Sequence, residues 1–170
     1  VAGAMEADTY NYSTLEFGNW GIITPMGEYT LDGSKAFYGE IYLDTNNSSN
    51  NFDWDYLMWD SSYNYDSSFT EMIYSEHSFV LCGNFYSILD LVDDNSSTSV
   101  LNLYSVSNYD YDSFCLFVYY GGSSQVSGSL GYVYQQFGFY DNDIITAIDL
   151  DNTGLASIAI ASTSTFVTFN

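Results

Sequence analysis

The sequence predicts an all-β protein, an antiparallel β-sandwich or jelly-roll-like single domain with about ten strands. Residues that favour strands and turns dominate the composition, with 18 Tyr and 12 Phe among 170 residues, and no segment has a sustained helical period. Several segments alternate between apolar and polar side chains, as strands with one face in a core do. Short runs rich in Asp, Asn, Ser and Gly separate these segments and are typical of turns.

The chain is predicted to begin with an arm and to continue as one sandwich domain. Residues 1–14 contain few hydrophobic side chains, so they are expected either to pair with another copy of the chain or to fray as an ordinary terminus. The sandwich domain is predicted over residues 15–170. Its clearest alternation lies in residues 35–43, where Phe37 shares one face with Ile41.

The remaining strands are assigned by the same alternation and by strand-forming composition. In chain order, the predicted strands are residues 15–23, 35–43, 52–59, 69–74, 78–82, 85–92, 100–106, 113–120, 130–140, 144–150 and 155–169. Polar turns lie between them, and the one proline, Pro25, falls in such a turn. The regular spacing favours a sandwich, but it does not determine the order of the strands in a sheet.

The last predicted strand, residues 155–169, is long and nearly free of charge. Such a strand is either buried on both faces or able to pair with another chain, and an ordinary edge strand is the simpler interpretation. If copies exchange strands, backbone hydrogen bonds supply the affinity and alternating side chains fix the register. The side chains predicted to act in assembly are Ile158, Ile160, Phe166 and Phe169.

The charge balance is strongly acidic because basic side chains are missing. The chain has 22 acidic residues against a single Lys, Lys35, and a net charge of −21 at pH 7. Nucleic acids and anionic membranes are therefore excluded as partners, because both are bound through Lys and Arg. Copies of the chain can touch only where cations, acid or salt neutralise the facing carboxylates.

Two cysteines, Cys82 and Cys115, lie in apolar segments that are predicted to be strands. They are expected to form a disulfide across two strands, and two buried free thiols are the alternative. No apolar run is long enough to cross a membrane as a helix. Together these features predict a secreted protein in an extracellular or cell-surface location.

Most of the acidic residues are Asp, and many of them fall in predicted turns, where carboxylate oxygens suit calcium. Residues 149–154 are similar to the start of an EF-hand loop, but Ile160 occupies the position of the essential Glu, so a site in loops between strands is expected instead. Turn formation and solubility alone would also account for these residues. The predicted ligands of calcium, the one cofactor expected, are Asp90, Asp93, Asp94, Asp141, Asp143, Asp149 and Asp151.

Catalytic motifs are sparse, so we predict no enzyme activity and assign no catalytic residue. The chain has one histidine, His77, and no Gly-x-Ser-x-Gly motif, so neither a multi-histidine metal site nor a common serine hydrolase is indicated. A hydrolase that uses two facing carboxylates is left open, because counting carboxylates cannot exclude it.

Two functions are consistent with these features. The first is a structural subunit of a self-assembling extracellular filament, pilus-like fibre or surface coat, whose partners are copies of itself and divalent cations. The alternative is a secreted carbohydrate-binding or adhesion module that binds glycans through surface aromatic side chains. The aromatic residues considered for stacking on sugars are Tyr56, Trp59, Tyr63, Tyr65, Tyr109 and Tyr111.

Overall fold

The computed structural model describes residues 2–7, 15–16, 22–23, 33–43, 52–62, 65–75, 78–93, 96–120, 130–138, 140–151, 155–163 and 168–169. Within these residues every regular element is a β-strand, and each strand pair with a defined register is antiparallel. The predicted all-β antiparallel class is therefore confirmed, and none of the described residues belongs to a helix that could cross a membrane.

The strands are β1 Ala2–Ala7, β2 Leu15–Glu16, β3 Ile22–Ile23, β4 Gly33–Leu43, β5 Phe52–Asp60, β6 Ser67–Ser75, β7 Ser78–Tyr86, β8 Ile88–Asp93, β9 Ser96–Tyr104, β10 Tyr111–Tyr120, β11 Leu130–Gly138, β12 Asp143–Leu150, β13 Ala156–Ser162 and β14 Thr168–Phe169. The chain forms two compact units. Unit 1 contains Val1–Ser68 and Ile88–Leu103, and unit 2 contains Phe69–Ser87 and Tyr104–Asn170.

Unit 1 contains a five-stranded sheet with the order β1-β4-β5-β8-β9. β1 pairs with β4 of the same chain, with Ala2 opposite Tyr38. Residues 2–7, which were expected to belong to an arm, are therefore a strand in this sheet, and a role for residues 1–14 in another copy stays a prediction. The side chains of Phe37, Tyr38, Met58 and Trp59 are buried on β4 and β5. Because neighbouring side chains of a strand point to opposite faces, both faces of these strands are covered at these positions.

Unit 2 has two layers with a hydrophobic core between them, and its sheet is also buried on the opposite face, where Leu81, Phe114 and Leu116 lie. Its five-stranded sheet has the order β14-β11-β10-β7-β6, and the β12–β13 hairpin packs on β7 and β10. Between the layers lie Val80, Cys82, Cys115, Phe137 and Ile145. Face-to-face packing of this kind is the arrangement expected of a β-sandwich.

The disulfide predicted between Cys82 and Cys115 is confirmed. The two residues are directly opposite in the register of β7 and β10, with their Cα atoms 4.1 Å apart. The bridge lies within the core of unit 2 and joins the two central strands of its sheet.

Several predicted boundaries need correction. The ends of the predicted strand 15–23 are two short strands, 15–16 and 22–23, that pair with each other, with Leu15 opposite Ile23. β7 runs without a break to Tyr86, and Ser87 separates it from β8 because its φ of 65° lies in the left-handed region. The segment 155–169 contains two strands in different sheets, since β13 pairs with β12 and β14 pairs with β11.

Candidate functional site

Each unit contains a buried carboxyl group that organises the polar groups around it. In unit 1 this group is Asp60, at the end of β5, whose side chain is fully buried. Its Oδ1 accepts hydrogen bonds from the backbone N–H groups of Ser62, at 2.9 Å, and Asp90, at 3.0 Å. Its Oδ2 accepts hydrogen bonds from the hydroxyls of Ser62, at 2.8 Å, and Ser67. Burial raises the pKa of Asp60, while these hydrogen bonds and the charge of Lys35 lower it.

Lys35, the only Lys in the chain, is fully buried in the same network. Its Nζ donates to the carbonyl of Tyr65 and lies 3.4 Å from Ser62 Oγ, which in turn donates to Asp60. The Ala36 N–H on β4 donates to Ser67 Oγ at 2.9 Å, and both residues belong to unit 1. The network connects β4, β5 and β8 with Ser62 and Ser67 of unit 1 through hydrogen-bonded polar groups, which stabilise one another in a buried site.

In unit 2 the corresponding group is Asp112, near the start of β10, which is also fully buried. Its Oδ2 accepts hydrogen bonds from Gln136 Nε2 on β11, at 2.7 Å, and from the Val106 N–H, at 3.1 Å. Gln136 Nε2 also donates to the Tyr104 carbonyl at 2.8 Å. Through these hydrogen bonds Asp112 connects the loop of residues 105–110 to β11.

The electrostatic surroundings of Asp112 are unfavourable to its charge. The pKa of Asp112 is raised to about 6, mainly by burial and in part by the carboxylates of Asp143 and Asp110. Hydrogen bonds from Gln136 and Val106 act in the opposite direction and lower it. Its Oδ1 is buried without a hydrogen-bond partner among the described residues. Lys35 belongs to unit 1, so no Lys or Arg of unit 2 can neutralise this carboxyl group.

Gly138 on β11 provides the space that the Asp112 side chain occupies. A Cβ atom on Gly138 would lie 2.2 Å from Asp112 Cγ, far inside van der Waals contact. Any other residue at this position would therefore displace the carboxyl group from its hydrogen bonds with Gln136 and Val106.

The loop of residues 105–110 has further attachments to unit 2. The Ser105 N–H donates to the Ser87 carbonyl at 2.8 Å, and the Ser87 N–H donates to the Asp110 carbonyl at 3.4 Å. The loop is therefore fixed at both ends, by Ser87 and by Asp112. Ser87 is a non-glycine residue in the left-handed region, and such conformations are kept only where the surrounding structure imposes them.

A second segment, residues 140–142, is attached to the same end of unit 2. The Tyr111 N–H donates to Asn142 Oδ1 at 3.0 Å, and the Thr163 N–H donates to the Asn142 carbonyl at 3.0 Å. The ring of Tyr111 contacts the ring of Tyr86 on β7, with centroids 5.2 Å apart. Residues 105–110 and 140–142 therefore lie beside each other around the start of β10.

Three tyrosines at this end of unit 2 expose their rings, Tyr104 as the last residue of β9 and Tyr109 and Tyr140 on the two segments, and we call them the tyrosine surface. Tyr104 is 63% exposed, Tyr109 78% and Tyr140 66%. The acidic residues of the same segments are Asp110 and Asp141, and Asp141 is exposed. This end of unit 2 thus combines exposed aromatic rings with carboxylates on a backbone that hydrogen bonds hold in place, and it is the candidate functional site.

The aromatic residues that were considered for stacking on sugars differ in their exposure to solvent. Tyr109 is highly exposed, Tyr111 and Tyr65 are half-buried, and Trp59 is buried. Trp59 is therefore unsuited to stacking on a sugar, because it contributes to the packing of unit 1. Tyr63 and the side chain of Tyr56 lie outside the described residues.

The residues predicted to act in assembly fall on two strands. Ile158 and Ile160 on β13 are half-buried and pack against the core of unit 2, so the exposed face of this strand carries Ser157, Ala159 and Ala161 instead. Phe169 lies opposite Phe137 on β11. Phe166 lies outside the described residues.

Three of the predicted calcium ligands accept hydrogen bonds through their carboxylates. Asp90 Oδ2 accepts a bond from Ser61 Oγ at 3.1 Å, Asp149 Oδ1 accepts one from the Leu150 N–H, and Asp151 Oδ1 accepts one from the Leu155 N–H, both at 2.9 Å.

The predicted ligands are distributed over both units. Asp90 belongs to unit 1, whereas Asp141, Asp143, Asp149 and Asp151 belong to unit 2. Asp143 is buried and Asp141 is exposed, while Asp94 and the side chain of Asp93 lie outside the described residues. Among the described residues no three His, Cys, Asp or Glu side chains form a group suited to a metal ion, and calcium binding stays a prediction.

The sequence contained a signal for the burial of Asp112, because the alternation of β10 extends to this residue. Asp112 is in phase with Phe114, Leu116 and Val118, all of which are buried, so its position alone places it on a core face. This role was not predicted, because aspartate is typical of turns. The charge of Asp143 contributes to the raised pKa of Asp112, and both side chains are fully buried.

Comparison of the chain with protein-family models, with curated proteins and with solved structures gives no match.

Proposed function

We propose that this protein is a structural subunit of an extracellular assembly, a filament, pilus-like fibre or coat, in which copies join through the outer edge of β13. The observation that carries the proposal is the position of β13 in the two-stranded β12–β13 sheet, where none of the other described strands pairs with it. An edge strand offers backbone N–H and C=O groups to a strand of another chain.

The side chains of β13 favour such a contact between identical copies. Each copy carries a net charge of −21, so contact is least unfavourable where carboxylates are absent. β13 has no charged side chain, and its exposed residues Ser157, Ala159 and Ala161 are small. Small side chains let a second strand approach closely, whereas Ile158 and Ile160 keep β13 anchored on the core of unit 2.

An extracellular location is part of the proposal and is supported by the Cys82–Cys115 disulfide, since such bonds persist in oxidising compartments. Calcium or acid would assist assembly by neutralising carboxylates near the contact. Light scattering coupled to size-exclusion chromatography and negative-stain electron microscopy should therefore find large particles when calcium is added or the pH is lowered to about 4.

Two variants that each add one carboxylate test where copies meet. Ala159→Asp places a charge on the exposed face of β13 and should prevent the particles. Asn102→Asp adds the same charge to an exposed position on β9, in unit 1, and should leave them intact. A wild-type protein that stays monomeric in every condition would refute assembly, and particles lost only with Asn102→Asp would refute the role of β13.

A further inference from the structure

The tyrosine surface of Tyr104, Tyr109 and Tyr140 has the properties of a preformed binding site. Hydrogen bonds with Ser87 and Asp112 hold the loop of residues 105–110 in place, and hydrogen bonds of Asn142 hold the segment that follows Tyr140. Rings carried on a fixed backbone lose little conformational freedom when a ligand binds, so more of the contact energy appears as affinity.

The charge of the molecule narrows the class of ligand. Anionic ligands are repelled by a chain with a net charge of −21. A cationic ligand would be attracted to acidic groups all over the molecule, and rings at one end would not select it. A neutral ligand, in contrast, is bound only by local contacts, which here are aromatic faces and hydrogen-bonding groups.

The groups that surround the rings match the chemistry of a neutral sugar. Tyrosine rings offer apolar faces on which the C–H surface of a pyranose can stack, and their hydroxyls can form hydrogen bonds. Carboxylates accept strong hydrogen bonds from hydroxyl groups, and Asp110 and Asp141 lie next to Tyr109 and Tyr140 in the chain.

We propose that the tyrosine surface binds a neutral polysaccharide, with Tyr109 and Tyr140 stacking on sugar rings and with Asp110 and Asp141 accepting hydrogen bonds from sugar hydroxyls. Sugar binding at this end of unit 2 does not require that copies join through β13. The same molecule can therefore bind a glycan as a monomer or as part of an assembly.

Affinity electrophoresis in native gels tests this directly, because a protein this acidic migrates quickly and any retention is easy to measure. Gels containing hydroxyethylcellulose, β-glucan or galactomannan should retard the wild-type protein in at least one case. Tyr109→Ala and Tyr140→Ala should each weaken that binding about tenfold or more, as expected when an aromatic side chain at the centre of a contact is removed.

Tyr74→Ala is the matched control. Tyr74 is as exposed as Tyr140, at 66%, and belongs to the same unit, but it lies near the end of β6. β6 precedes β7 in the chain, and the start of β7 pairs with the far end of β10. The Tyr74→Ala variant should bind like the wild type, and binding measured by titration calorimetry should persist at high salt.

The proposal would be overturned if none of the three polysaccharides retained the protein, if all three variants lost binding equally, or if high salt abolished binding. The Ala159→Asp variant should bind sugar normally, so failure of assembly and failure of sugar binding are distinguishable.

Discussion

Asp112 should make the stability of the protein depend on pH. Its pKa is raised to about 6 in the folded state, against an ordinary value of 3.8, so folding takes up a proton in this range. Asp112 therefore makes its full contribution to the free energy of unfolding below about pH 4, and this contribution is lost as the pH rises through about 6. A shift of two pKa units corresponds to at most about 3 kcal/mol.

Replacing Asp112 by Asn should remove much of this dependence. The amide oxygen can still accept hydrogen bonds from Gln136 and Val106, but it carries no charge to be destabilised by burial or by Asp143. Between about pH 4 and about pH 7, ionisation of Asp112 should lower the free energy of unfolding of the wild-type protein by about 2 kcal/mol. This decrease should be absent from the Asp112→Asn variant when both proteins are measured by urea titration. Asp149→Asn, at an exposed position on β12, should follow the wild-type profile, and a profile of Asp112→Asn parallel to wild type would contradict the assignment.

Gly138→Ala should destabilise unit 2 because the new Cβ atom would lie 2.2 Å from Asp112 Cγ. The carboxyl group would have to leave its bonds with Gln136 and Val106, at an expected cost of about 1–3 kcal/mol in chemical denaturation. The double variant Gly138→Ala with Asp112→Ala should show a clear coupling energy, because the clash is then absent. Gly3→Ala is the control, since its nearest contact would be an ordinary 3.4 Å to Phe37, and an equal loss in both alanine variants would argue against the clash.

Among the strands, the pair β7–β10 depends on the Cys82–Cys115 disulfide, which closes a span of 33 residues. In the chain-entropy account such a bridge stabilises the fold by about 3–4 kcal/mol. A variant with Ala at both positions should lose about that much in urea unfolding, and dithiothreitol should destabilise the wild-type protein but not the variant. Equal stability of the oxidised and reduced protein would show that the β-strand pairing and the surrounding core suffice alone.

At this scale, alternation predicted strands well where one face is apolar, as at Phe37 and Ile41 on β4, but it failed where a strand ends. Asp60 was assigned to a turn, yet it is the last residue of β5 because Ser62, Ser67 and the Asp90 N–H satisfy its carboxylate. Hydrogen-bond partners from distant parts of the chain cannot be read from the local pattern. The separation of β7 from β8 at Ser87 was also unpredictable, since a left-handed φ is typical of Gly rather than Ser.

The whole molecule combines features that the sequence revealed with others that only the structure contains. The β class and the disulfide followed from composition and from two cysteines in apolar strands. The candidate site did not, because it depends on β10 and β11 being neighbours, which brings Gln136 and Gly138 to Asp112. Strand order is set by the packing of the whole chain, and alternation within each strand carries no information about it.

The net charge of −21 should also make the whole molecule sensitive to salt. Asp60, Asp112 and Asp143 are buried, so at most 19 of the 22 acidic side chains (22 − 3) share the surface of 10141 Å². This is roughly one per 530 Å², which corresponds to a spacing of about 23 Å. The Debye length is about 30 Å at 0.01 M salt and about 8 Å at 0.15 M, so repulsion between neighbouring carboxylates is substantial at 0.01 M and largely screened at 0.15 M.

At neutral pH the Tm should therefore rise mainly between 0.01 M and 0.15 M NaCl and change much less above 0.15 M. In the same series at about pH 3, where most carboxyl groups are protonated, the rise should nearly vanish. A Tm at neutral pH that is independent of salt at low ionic strength would mean that bound cations, rather than the surrounding electrolyte, already neutralise the carboxylates.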